Sequence, residues 1–273
     1  MSSRPVETPA RRPLRQSSTV TFTVGAAIGV LGGMIGLGGA EFRLPLLIGL
    51  FGFAALQAVI LNKAMSLVVV LTALPARLLA VPLAAVAAHW SVAVNLLAGS
   101  LLGAWAGATW ATRMRSATLY RVLAALLVLI AVALLASHLG AVATLDLPAG
   151  PRAVAGIGAG LAIGVVAALM GVAGGELLIP TIVLLHGVDI KLAGSLSLAV
   201  SLPTMLVAFA RYSRDQSFTV LRANLRFIAV MAAGSIFGTV LGGLLLGVIP
   251  DVVLIPLLAL LLLLSSIKVW RHR

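Results

Sequence analysis

The chain of 273 residues contains no cysteine, which excludes thiolate catalysis, thiolate-bound metals and disulfides. Charge is sparse: Asp and Glu number 7, and charged residues make up 10% of the whole. With 61% hydrophobic residues and a mean hydropathy of +1.17, too little polar surface remains to coat a soluble domain of this size. No H-E-x-x-H, G-x-S-x-G or G-x-x-x-x-G-K-[ST] motif occurs, so metalloprotease, esterase and ATP-driven readings lack support. Gly156, Gly158 and Gly160 imitate a dinucleotide loop without a βαβ unit around them. No metal set and no cofactor are expected.

What is present is long apolar stretches. They run from about Val20 to Gly39, Leu56 to Val81, Val92 to Ala111, Leu119 to Ala136, Ala153 to Gly171, Leu192 to Ala210, Phe227 to Gly247 and Val252 to Val269. Most reach the ~20 residues that span a hydrocarbon core. Two shorter ones, Leu44 to Phe53 and Leu177 to His186, do not. Hydrophobicity is continuous along each, with no alternating pattern of a lipid-facing barrel, so the expectation is an all-α polytopic membrane protein in a lipid bilayer.

The chain also repeats itself. Gly25, Ile28, Gly29, Gly36, Gly39, Glu41 and Pro45 match Gly160, Ile163, Gly164, Gly171, Gly174, Glu176 and Pro180 at a fixed offset of 135. Gly99, Ser100, Gly103 and Gly107 match Gly234, Ser235, Gly238 and Gly242 at the same offset, so the whole half was copied. The expected organisation is a basic disordered cytoplasmic tail (1–19), a first membrane half (20–140), a linker (141–152) and a second membrane half (153–273). The span after the tail lacks a clear cleavage site, which argues against a removed signal peptide.

The net charge of +12 belongs to topology rather than to nucleic acid, for which no partnership is expected. Arg4, Arg11, Arg12 and Arg15 precede the first span; Arg113, Arg115 and Arg121 share one connection; Arg211, Arg214, Arg222 and Arg226 share another; Lys268, Arg271 and Arg273 follow the last. These groups hold 14 of the 19 Lys and Arg. If all face the cytoplasm, each half has an odd number of segments and the second half lies upside down relative to the first. Each short segment, with the helix before it, then reads as a re-entrant Gly-rich hairpin followed by three transmembrane helices. Both termini are expected in the cytoplasm, across what is expected to be a bacterial inner membrane.

Two inverted hairpins bring their tips, with helix N-termini near Glu41 and Glu176, to one shared site near the midplane. Such a site suits an anion. The segments Gly36-Leu37-Gly38-Gly39-Ala40-Glu41-Phe42-Arg43-Leu44-Pro45 and Gly171-Val172-Ala173-Gly174-Gly175-Glu176-Leu177-Leu178-Ile179-Pro180 resemble the paired G-x-G-G-G-x-x-x-x-P signature of the TauE/SafE sulfite-exporter-like transporters. The similarity extends from Val20 to the C-terminus. Ala40 replaces the third glycine of the first copy and Ala173 the second glycine of the second. The resemblance implies secondary transport of small anions, often sulfur-containing ones such as sulfite, sulfonates or thiosulfate. A passive anion channel and a membrane-embedded enzyme using Glu41 and Glu176 are the alternatives, the latter without a nucleophile or metal set beside it. A homo-oligomer is left open.

Each candidate residue has two readings. Gly36, Gly38, Gly39, Gly171, Gly174 and Gly175 either present backbone N–H groups to substrate or simply permit tight turns. Gly99, Gly103, Gly107, Gly234, Gly238 and Gly242 form small-xxx-small stripes and are assigned to helix packing. Arg43 is either the counter-charge for an anion or the partner of Glu176 or Glu41. Glu41 and Glu176 are either proton-coupling carboxylates or acids placed at helix N-termini. Lys63 either reaches the site or snorkels to the interface. Asn62, Ser66, Ser195 and Ser197 either donate to substrate or, for the serines, bond their own helix backbone.

Overall fold

The computed structural model describes residues 17–35, 39–80, 83–138, 145–245 and 251–271, all of them in helices or short connections. The helices are α1 (Ser18–Ile35), α2 (Ala40–Gly49), α3 (Ala55–Ala80), α4 (Leu83–Ala88), α5 (Trp90–Arg113), α6 (Ser116–His138), α7 (Ala149–Met170), α8 (Gly175–His186), α9 (Ile190–Tyr212), α10 (Thr219–Ala223), α11 (Leu225–Leu244) and α12 (Asp251–Trp270). Seven of the described helices are long and apolar enough to cross a membrane; α1 and α8 are shorter apolar helices. Helix α1 is described as far as Ile35, and Gly39, expected at the end of the first span, instead precedes α2 with φ 69°. Most of the N-terminal tail and part of the linker lie outside the described residues.

The duplication is visible in the element boundaries. Helices α2, α3, α5 and α6 begin at residues 40, 55, 90 and 116, and α8, α9, α11 and α12 begin at 175, 190, 225 and 251, the same offset as the glycine motif. Even the short α4 has its counterpart in α10, an element that the apolar spans alone did not indicate.

The glycine stripes explain the two most extensive interfaces, α1 with α11 and α5 with α7. A Cβ at Gly29, Gly238 or Gly242 of the first pair would collide with the carbonyl oxygens of Ser235, Ala26 and Val30, and one at Gly99, Gly103 or Gly164 of the second with those of Ile157, Leu161 and Ser100. Lipid tails are as apolar as leucine, so close backbone approach is what holds such helices together. In both pairs the facing residues rise together in number, so α1 runs parallel to α11 and α5 to α7. Helix α9 runs parallel to α5 as well, with Ser100 bonded to Thr204 at 2.8 Å and Arg211 to Thr109 at 2.8 Å.

Helix α8 lies between two helices, α7 and α9, that run the same way. It therefore turns back along α7. The Leu145 N–H, just before α7, donates to the Leu184 carbonyl near the end of α8 at 2.9 Å. Helix α2 behaves alike: Phe51 and Phe53, at its C-terminal exit, meet Phe227 at the start of α11, edge-to-face and tilted, with ring centroids 4.9 and 5.3 Å apart.

Candidate functional site

Both short helices begin at a glycine with positive φ, Gly39 at 69° and Gly174 at 86°, and neither has a side-chain cap. The left-handed backbone there is open to glycine at little steric cost. Space adds a second demand at Gly39, whose Cβ would lie 2.6 Å from the Ile28 carbonyl oxygen. Gly171 closes α7 with φ 70°. Turn geometry is therefore a sufficient reason for glycine at these three positions. Gly175 is the first residue of α8, and Gly36 and Gly38 lie outside the described residues.

The Glu-x-x-x-Pro spacing of both copies acquires a local meaning. Proline has no N–H, so Pro45 inside α2 and Pro180 inside α8 cannot donate to the carbonyls four residues earlier, those of Glu41 and Glu176. The first turn of each short helix thus carries N–H groups without a side-chain acceptor and a carbonyl without its intrahelical donor.

Around these tips sits a buried polar cluster. Arg43, Asn62 and Lys63 are 0% exposed. Arg43 donates through Nε to Asn62 Oδ1 at 2.8 Å, through Nη2 to Ser66 Oγ at 2.9 Å, and through Nη1 to Ser235 Oγ at 3.3 Å. Among the described residues, none of its hydrogen bonds goes to a carboxylate. Hydrogen bonds to a charged group contribute ~1.5–3 kcal/mol each, enough together to offset the ~2.5–3.5 kcal/mol of placing an arginine at the centre of a spanning helix. They go to neutral groups, so the only opposite charge acting on Arg43 among the described residues is that of Glu41, without a hydrogen bond.

Asn62 Nδ2 donates to the Ala40 carbonyl and to the Met170 carbonyl, both at 3.0 Å. Ser66 Oγ donates to the Gly171 carbonyl at 3.2 Å. Lys63 does not reach an interface; its Nζ donates to the carbonyls of Ala167 at 2.8 Å and Val172 at 2.6 Å. Glu41 and Glu176 are also buried, and the two carboxyl groups are close enough to interact with each other, Glu41 also with Arg43 and Glu176 also with Lys63. Among the described residues no N–H or hydroxyl donates to either oxygen of Glu41 or to Oε2 of Glu176; the two carboxyl groups lie within hydrogen-bonding reach of each other, a contact that takes a proton on one of them.

The serines of α9 stand apart. Ser195 Oγ approaches the Lys191 carbonyl at 3.5 Å and Ser197 Oγ donates to that of Gly194 at 2.9 Å, each within its own helix. Two participants escaped the sequence reading. Ser235 was visible only as the copy of Ser100, and Tyr212, fully buried, donates its hydroxyl to the Ala168 carbonyl at 2.9 Å. A lone buried tyrosine at a span's end carries no local signal of a partner 44 residues away.

Taken together, the tips of two hairpins from two copies of one unit meet at two buried cations and two partly unpartnered carboxyl groups in an all-helical apolar chain. No curated protein and no solved structure matches the chain significantly. The family model described as Sulfite exporter TauE/SafE matches residues 21–269, nearly the whole length. The chain belongs to the TauE/SafE sulfite exporter family of membrane transporters.

Proposed function

We propose that this protein is a secondary transporter of a small sulfur-containing oxyanion, such as sulfite, a sulfonate or thiosulfate, bound between the two hairpin tips. The observation that carries the reading is Arg43: completely buried and hydrogen-bonded, among the described residues, to Asn62, Ser66 and Ser235 and to no carboxylate. The uncapped N-termini of α2 and α8 add positive potential at the same place. Glu41 and Glu176, a buried pair of facing carboxyl groups, are the proton-coupling groups.

The two halves lie inverted in the membrane. In support, α9 joins α11 through residues 213–224, so the end of α9 shares a face with the start of α11. The start of α3 shares that face through Phe53 on Phe227, so α3 and its copy α9 run opposite ways. On this reading each Gly-rich hairpin re-enters on its own side, and alternating access moves one half against the other around a fixed midplane site. The face carrying Arg113, Arg115, Arg211 and Arg214 is cytoplasmic.

The test is flux of sulfite and of a small sulfonate into proteoliposomes of the purified protein, with other small oxyanions as competitors. Competition is expected, and Arg43→Gln is expected to weaken binding by roughly tenfold or more, the scale of one lost charge-assisted contact. Wild-type affinity in Arg43→Gln would place the anion elsewhere.

A further inference from the structure

The end of α7 is the most densely donated-to backbone in the described structure. The Ala167 carbonyl accepts from Lys63, Ala168 from Tyr212, Met170 from Asn62, Gly171 from Ser66 and Val172 from Lys63. The last carbonyls of a helix form the negative end of its dipole; here those of Ala167 and Ala168 also accept the N–H groups of the capping turn, Gly171 and Val172, and Val172 itself follows that turn just beyond the helix. Where such an end stops inside a membrane, its carbonyls can coordinate a small monovalent cation. Here the Lys63 amino group lies between one of them, Ala167, and the Val172 carbonyl that follows the capping turn.

We propose that the carbonyls of Ala167 and Val172 form a latent monovalent-cation site, and that Lys63 fills it as a cation tethered to α3 rather than as a contact for substrate. Three further observations carry this. Both hydrogen bonds of Nζ go to these carbonyls, at 2.8 and 2.6 Å, so the ammonium is committed to the tip and not directed at Arg43's neighbourhood. The carboxyl group of Glu176 interacts with the ammonium, as it would with a bound ion. The copy of Lys63 is Leu198, so the duplicated unit carries its fixed cation on one side only.

A tethered ion cannot dissociate in each cycle, so the protein needs no sodium or potassium at this tip. It also fixes the second hairpin to α3.

The stability arm of the test stands whether or not the transport reading holds, while the flux arm rests on that reading. Thermal unfolding of the full chain in detergent is followed in choline, sodium, potassium and methylammonium chloride. Wild type is expected to be indifferent to the cation. Lys63→Ala is expected to unfold at lower temperature and to regain stability with millimolar methylammonium or sodium. Indifference of Lys63→Ala to every small cation, or sodium dependence of wild type, overturns the proposal.

The second variant, Lys63→Gln, keeps a donor and removes the charge. It is expected to fold and to lose flux roughly tenfold, the scale of one charge-assisted contact. Wild-type flux in Lys63→Gln shows that no cation is required and overturns the proposal, whereas no sulfur-oxyanion flux in wild type, with the stability rescue intact, rejects only the transport reading.

Discussion

Asn62 and Met170 are joined across the two halves of the molecule, the amide Nδ2 of Asn62 donating to the Met170 carbonyl at 3.0 Å. The same nitrogen reaches the Ala40 carbonyl at 3.0 Å, so one side chain binds the last residue of α7 to the first residue of α2. Its oxygen meanwhile accepts from Arg43.

Replacing this side chain removes all three contacts at once. Asn62→Ala is expected to destabilise by about 1–3 kcal/mol, because buried groups are left without partners. Ser197→Ala, which removes only a bond within its own helix, is expected to stay within about 0.5 kcal/mol of wild type. Thermal unfolding in detergent separates the two; equal effects would deny Asn62 its joining role.

The glycine stripes make a steric prediction. Gly103→Ala is expected to reduce yield and thermal stability strongly, since the added Cβ meets the Leu161 backbone, while Gly158→Ala, with open space beside it, is expected to be neutral. Gly39→Val and Gly174→Val are expected to be damaging too, through their positive φ, and loss of binding in those variants has to be read beside their folding.

Much of this was legible in sequence because it is local. Spans and small-residue stripes are written in consecutive turns of one helix, and the shortness of Leu44 to Phe53 and Leu177 to His186 pointed to hairpins. The environment of Arg43 was only partly legible. Asn62 and Ser66 stand one turn apart on α3 beside the first tip, whereas Ser235 arrives from 192 residues away because α11 packs on α1. For the serines, bonding to their own helix backbone is the commoner fate in an apolar helix; Ser195 and Ser197 follow it, whereas Ser66 reaches Arg43 and Gly171, which nothing local in the sequence distinguishes. Helices α4 and α10 were missed because six and five residues are too few to show a period.

The inverted arrangement predicts labelling. In a chain without cysteine, single cysteines replacing Ser116 and Ser213, at the ends of the parallel helices α5 and α9, are expected to react with an impermeant reagent from the cytoplasmic face. Cysteines replacing Asp146 and Gly187, at the open end of the α7–α8 hairpin, are expected to react from the opposite face. Labelling of Ser116 and Ser213 from different faces would overturn the topology.

The carboxyl groups carry the last prediction. Glu41 and Glu176 face one another in a buried setting, and three of their four oxygens receive no N–H or hydroxyl donor among the described residues. Two such groups are costly to keep charged together, so proton uptake at one of them is the economical way to admit an anion beside Arg43. Flux driven by a pH gradient across proteoliposomes should therefore lose its pH dependence in Glu41→Gln or Glu176→Gln, while anion exchange at equal pH persists in part. The glutamine amide keeps the size of the side chain and removes only the titration, which distinguishes coupling from packing. If both variants keep the wild-type pH profile, and Arg43→Gln still binds, the anion passes without protons, and a passive channel built on the glycine tips becomes the better description.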